Sequence, residues 1–166
     1  MLFARQQLNA KFWHLTFNQL PAEVNEALVR GREEIFFGAE FDASAGTKKL
    51  PKEVVEYYID TLRSPDSLRA SFEIYRAFPA IIAQNDQRKS RKLTIPVLAM
   101  GGEESAGEGV ANTMRLVADD VQSMVLPGAG HWVAEQAPEA LLAALTPFLA
   151  PYRDAAARGD GQLARA

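Results

Sequence analysis

The chain contains no cysteine and only two histidines, His14 and His131. The first absence excludes disulfides, thiolate metal sites and cysteine nucleophiles. With so few imidazoles no metal centre is expected, and nothing in the sequence calls for an organic cofactor. An excess of positive charge is also missing: 18 Lys and Arg stand against 21 Asp and Glu, for a net charge of −3. No nucleic acid is therefore expected as a partner. No apolar run approaches the roughly 20 residues that a membrane-spanning helix needs, so no membrane partner is expected either. The start, Met-Leu-Phe-Ala-Arg-Gln-Gln-Leu-Asn-Ala, lacks the apolar core and small-residue cleavage site of a secretion signal, and a cytoplasmic location is expected. No internal repeat is found.

What is present is ordinary globular material, 48% hydrophobic and 23% charged over 166 residues, enough for a packed core. Its first half reads as helices. Phe12, Trp13, Leu15, Phe17 and Leu20 make an aromatic-rich helix that should stop before Pro21. Pro21-Ala22-Glu23 opens a second helix that Gly31 closes, and Glu33 to Phe41 reads as a short helix or turn. Asp42 to Leu50 reads as a polar loop. Pro51 starts a helix carrying Val54, Tyr57, Tyr58 and Leu62. Ser64-Pro65-Asp66 is a side-chain cap followed by proline, opening a helix through Leu68, Phe72, Tyr75 and Phe78.

The character changes after a charged connector, Asn85 to Lys92. Leu93-Thr-Ile-Pro-Val-Leu-Ala-Met-Gly-Gly is a buried strand of the parallel type. A helix over Gly109 to Val117, a strand over Asp119 to Leu126 and a helix over Pro138 to Leu149 follow, which is the α/β pattern of a parallel crossover. Two strands do not complete such a sheet, and the exposed edge over Ile95 to Met100 is expected to seek a partner, giving dimers or aggregates. Between the second strand and the last helix lies Val-Leu-Pro-Gly-Ala-Gly-His-Trp-Val-Ala-Glu-Gln-Ala-Pro. A histidine there, at the end of a sheet on a glycine-rich turn, has the near-neutral pKa of a general base. A turn histidine that merely caps the strand fits the same residues.

Taken together, the aromatic helical block, the Leu-Thr-Ile-Pro-Val-Leu-Ala-Met-Gly-Gly strand and the Gly-Ala-Gly-His-Trp turn resemble the C-terminal half of α/β-fold hydrolases. The branch is that of epoxide hydrolases and haloacetate dehalogenase-like enzymes, with Phe-Trp-His and Ile-Tyr-Arg-Ala narrowing it. The resemblance implies a partial α/β-hydrolase fold: a helical cap over residues 1–88, the last two parallel strands and their helices over 89–151, and a disordered tail over 152–166. It implies a small apolar substrate for the completed enzyme, no cofactor, and an aspartate nucleophile whose ester a histidine-activated water hydrolyses. His131 takes the place of that base, and Tyr75 the place of a cap tyrosine donating to the leaving oxygen or halide. His14 stands where dehalogenase-like members carry a halide-pocket histidine. Trp13, Phe17, Phe72, Phe78 and Trp132 are candidate pocket walls.

The chain departs from the family at Leu15, where a tryptophan would face a halide, and at Phe17, where epoxide hydrolases carry a first cap tyrosine. Ser105 stands where the triad aspartate usually lies, which leaves Glu104 as a candidate acid and an acid after an earlier strand as the other possibility. No Gly-x-Ser-x-Gly or Gly-x-Asp-x-Gly elbow follows a strand anywhere in the 166 residues; Gly159-Asp160-Gly161 lies in the tail. Two readings follow. In one, the chain is the C-terminal half of an epoxide hydrolase-like enzyme, with a haloacid dehalogenase or an esterase of the same fold as variants. In the other it is a catalytically silent fragment or a partner-binding remnant.

Overall fold

The computed structural model describes residues 6–88 and 90–158. Two compact units emerge, and neither is contiguous in sequence: Met1–Ala43 with Leu50–Gln87, and Ser44–Lys49 with Arg88–Ala166. The loop expected to belong to the helical half thus belongs to the sheet-bearing half. Among the described residues no helix is long and apolar enough to cross a membrane.

The first unit is helical. Helix α1 (Gln6–Asn18) bends at Phe12, α2 (Ala22–Val29) begins after Pro21, and α3 (Glu33–Ser44) extends beyond the expected Phe41. Helix α4 (Lys52–Thr61) follows Pro51. Helix α5 (Pro65–Arg76) opens as its cap signal predicts, the Ser64 hydroxyl accepting from the Ser67 N–H at 3.1 Å. The chain does not continue this helix to Phe78; it breaks at Ala77 and restarts as α6 (Phe78–Arg88), with Pro79 in the first turn, where a missing N–H is harmless. The core of the unit is aromatic: Phe17, Phe36, Phe37 and Phe72 have ring centroids 5.0 to 6.4 Å apart. Rings at such separations gain from edge and offset contacts beyond their burial.

The second unit carries a two-stranded parallel sheet. Strand β1 (Val97–Gly102) pairs with β2 (Val121–Leu126) in the register Val97 to Val121 through Gly102 to Leu126, and α7 (Gly109–Met114) forms the crossover. Strand β1 is shorter than its apolar run, because Leu93 makes only an isolated bridge to Ala118 and the pairing resumes at Val97; β2 omits Asp119 and Asp120 of its expected span. On β2 the residues Gln122 to Val125 are exposed, as expected of a sheet with too few layers to cover it. A short helix, α8 (Val133–Gln136), precedes α9 (Pro138–Arg158). Helix α9 outruns its expected end at Leu149, so residues 152–158, expected as disordered tail, are helical. Asp154-Ala-Ala-Ala-Arg favours helix strongly enough to continue it past Pro147 and Pro151. The Gly159-Asp160-Gly161 stretch lies outside the described residues.

Candidate active site

In the second unit His131 follows β2 on a turn at the C-terminal ends of the strands, where ligands bind in open α/β sheets. The turn is made by Gly128, whose φ of +63° only glycine adopts without strain. His131 is exposed, its backbone N–H donates to the Ser44 carbonyl at 3.0 Å, and its ring lies edge-on to Trp132 at 5.1 Å. Trp132 is in turn fixed by its indole N–H, which donates to the Ser44 hydroxyl at 2.9 Å.

One buried side chain fixes this turn. Gln136 is 1% exposed. Its Oε1 accepts from the Gly130 N–H at 2.9 Å and the Trp132 N–H at 3.1 Å, so the residues on both sides of His131 hang from one oxygen. Its Nε2 donates to the carbonyls of Ala45 at 2.6 Å and Lys48 at 2.5 Å. The Lys48 ammonium donates to the Gln136 carbonyl. The strand ends approach so closely that a Cβ on Gly130 would lie 2.3 Å from the Ala45 oxygen, and one on Gly102 would lie 1.9 Å from the Gly130 oxygen. These glycines are required for contact between backbones as well as for turning.

Glu104, the candidate acid, is engaged by the 44–49 loop. Its carboxylate accepts from the Thr47 N–H at 2.6 Å and the Thr47 hydroxyl at 2.5 Å, and these bonds hold its pKa below the usual carboxylate range. Glu103 likewise accepts from the Gly128 N–H at 2.8 Å. The two glutamates after β1 therefore anchor loops, each carboxylate accepting from a backbone N–H. A hollow of about 740 Å³ between Ile95, Leu98, Met124, Phe148 and their neighbours lies toward the N-terminal ends of the strands, and His131 does not line it.

In the first unit the sequence-predicted residues lie on α1, on α5 and at the start of α6. Trp13 and Phe17 wall an apolar cleft of about 300 Å³ with Leu28, Ile35, Phe36 and Ala39. Phe72 is not a pocket wall: helical spacing puts it with Leu68 on the inner face of α5, and it is fully buried. His14 and Tyr75 meet edge to face at 6.4 Å, and Phe78 stands 5.2 Å from Tyr75. Burial first, and then the charge of Glu40, push the Tyr75 hydroxyl above its ordinary pKa, against a hydrogen bond from Asn18. The neighbouring Arg76 locks α5 in place, donating to the Leu20 carbonyl at 3.0 Å and the Asn25 Oδ1 at 2.7 Å and pairing with buried Glu26 at 3.1 Å. Sequence reading passed over Gln136, Arg76, Asn18 and Glu40. Of these only Arg76 carried a signal, its adjacency to Tyr75 in Ile-Tyr-Arg-Ala.

No protein-family model matches the chain. Its sequence is 28% identical over 102 residues to a soluble epoxide hydrolase of Corynebacterium sp. (strain C12), a match spanning 61% of this chain and 35% of that protein. Among solved structures, Cfl2 from Burkholderia cenocepacia superposes with a TM-score of 0.76 at 26% identity, over 84% of this chain and 48% of Cfl2. A candidate epoxide hydrolase from Pseudomonas aeruginosa gives a TM-score of 0.74 at 27% identity, over 89% of this chain and 51% of its own. The chain has a partial α/β-hydrolase fold. It resembles the epoxide hydrolase-like branch over most of its described length, and it spans about a third of the curated relative and about half of each solved structure named above.

Proposed function

We propose that this chain carries the cap and the base of an epoxide hydrolase-like enzyme, with His131 as general base and Tyr75 as donor to the leaving oxygen. The observation that carries the reading is the His131 turn. A glycine-built, Gln136-braced loop at the C-terminal end of a parallel strand holds an exposed imidazole where water reaches it. In the reaction a carboxylate attacks an epoxide carbon and the C–O bond breaks. The Tyr75 O–H, with the His14 ring at its edge, protonates the oxygen that leaves. His131 then takes a proton from water as the water adds to the ester carbonyl, the ester C–O bond breaks to release diol and carboxylate, and the proton on His131 returns through solvent to the Tyr75 oxygen.

The nucleophile has no counterpart among the motifs of these 166 residues, so its half of the chemistry belongs to a completed enzyme. A small apolar epoxide suits a cap with this many aromatic rings, and a haloacid or ester remains the variant substrate. The test is a His131→Gln variant of the enzyme completed by an N-terminal hydrolase half, quenched after single turnover and examined by mass spectrometry. An accumulated ester on a carboxylate is expected, because the first step does not need the base. Unchanged steady-state turnover in that variant overturns the assignment. The isolated 166-residue chain is expected to hydrolyse no epoxide, and this is also what the reading as a silent fragment requires.

A further inference from the structure

Side chains from two other helices close the end of α1. The Phe17 carbonyl would take its helical bond from residue 21, but Pro21 has no N–H to give. Asn25 of α2, which is 0% exposed, supplies a donor instead: its Nδ2 donates to the carbonyls of Phe17 at 3.1 Å and Asn18 at 3.2 Å. Its Oδ1 accepts from Nη2 of Arg76 on α5 at 2.7 Å. The same guanidinium donates from Nε to the Leu20 carbonyl at 3.0 Å, and from Nη1 to Glu26 at 3.1 Å and Glu73 at 2.7 Å. All three nitrogens of the fork are engaged, and the buried Glu26 carries the counter-charge that an enclosed guanidinium needs.

We propose that Asn25 and Arg76 are positioning residues for Tyr75, fixing α5 against α1 so that the phenol keeps its place beside His14. Neither touches the reacting atoms. Their bearing on the reaction rests on the reading of Tyr75 as leaving-group donor given above. Their hold on the contact between Tyr75 and His14 does not.

The clamp lies close to that contact along both helices. His14 stands four residues, about one turn, before Asn18 on α1, and Tyr75 is the neighbour of Arg76 on α5. Their rings meet edge to face at 6.4 Å. One turn before Arg76 the fully buried Phe72 lies under the guanidinium at 5.8 Å and holds the fork from its apolar side. The amide at 25 is needed for both of its ends: its oxygen receives the guanidinium, and its nitrogen holds α1. An aspartate of the same shape would bind Arg76 through charge but turn an acceptor toward two carbonyls, so α1 is released while α5 stays bound. A lysine at 76 would keep the charge beside Glu26, yet a single ammonium cannot serve Leu20 and Asn25 as a planar fork does.

The experiment is nuclear magnetic resonance of the 166-residue chain, reading the Overhauser contact between the His14 and Tyr75 rings in the parent, in Asn25→Asp and in Arg76→Lys. Both variants are expected to lose it while the contact between Tyr75 and Phe78, 5.2 Å apart, is kept. A His14–Tyr75 contact unchanged in a folded variant overturns the proposal. If neither variant folds, the parent decides: the Arg76 Nη protons are expected as separate, slowly exchanging signals, and one averaged signal like that of an exposed arginine overturns the clamp. In an enzyme completed by an N-terminal half, Asn25→Asp is expected to slow formation of the ester about tenfold or more and to leave its hydrolysis unchanged, because misplacement by about 1 Å is that costly and only the first step uses Tyr75. Equal slowing of both steps marks a general loss of structure and overturns the positioning role. A Tyr75→Phe enzyme that forms the ester at the parent rate refutes the reading of Tyr75 alone, so the two failures are distinguishable.

Discussion

Replacing Gln136 by leucine keeps the volume of a side chain that is 1% exposed and removes all four of its hydrogen bonds. Two N–H groups, of Gly130 and Trp132, and two carbonyls, of Ala45 and Lys48, are left without that partner. A buried backbone group without a partner costs about 1–3 kcal/mol. The tight backbone contacts at Gly130 leave little room for water to replace the amide. Because carbonyls tolerate loss better than N–H groups and loop 44–49 can relax toward solvent, the sum comes to about 4 kcal/mol rather than the upper limit of roughly 12. For a chain of this size that corresponds to a fall of about 10 °C in Tm. Denaturant unfolding followed by Trp fluorescence measures the loss, Trp132 being a neighbour of the affected site. Hydrogen exchange of the Gly130 and Trp132 amides locates it. A Gln136→Leu protein within about 1 kcal/mol of the parent, with both amides still protected, would refute the reasoning. Gln136→Glu adds a check of sign: a carboxylate facing two carbonyls is driven to protonate, so this variant should lose stability as pH rises from 5 to 8.

Three further outcomes are expected. Gly130→Ala puts a methyl 2.3 Å from the Ala45 carbonyl oxygen, and the second unit should lose at least about 3 kcal/mol in the same unfolding assay, whereas Gly109→Ala, in open space, should change little. Glu40 has a folded pKa near 7, above the unfolded 4.5, so its contribution to stability is fully present below about pH 4.5 and lost as pH rises through 7. That contribution is at most about 3 kcal/mol, and about 1–2 after allowing for the group's partial exposure, and it should vanish in Glu40→Gln. The open sheet, with Met124 and Val125 more than a third exposed on β2 and Ile95 similarly exposed before β1, should drive association; size-exclusion chromatography with light scattering giving a sharp monomer peak counts against this.

The residues that could be read directly are those whose signals are local. Ser64-Pro65 announces α5 because a hydroxyl three residues before an N–H caps a helix wherever it occurs. The apolar run ending in Gly101-Gly102 and the Gly-Ala-Gly-His turn announce a parallel strand and the histidine after it. Gln136 was invisible because its partners Ala45 and Lys48 lie 91 and 88 residues away, and a glutamine between Glu135 and Ala137 looks like any solvated residue. The bond of Glu104 to Thr47 was invisible for the same reason, the two being 57 residues apart. Asn18 and Glu40 sit on one side of a helix pair whose mutual placement no periodicity encodes, and Phe72 was legible as apolar but not as fully enclosed.

The loop Ser44–Lys49 means that the backbone passes from one unit to the other three times, at 43–44, 49–50 and 87–88. The protein therefore has no single point at which it divides into a helical piece and a sheet piece. Residues 1–87 expressed alone would keep the loop but strip it of Gln136, Glu104 and Trp132, the groups that satisfy its polar atoms. Residues 88–158 alone would leave Glu104 and the Trp132 indole without their loop partners and Gln136 with only the Gly130 and Trp132 N–H groups. Helices α4 to α6 are tethered at both ends to the sheet-bearing unit, so the loop cannot reach its place until residues almost ninety positions downstream have folded around it. Such long closures slow folding, and they make the histidine turn one of the last parts of this chain to form.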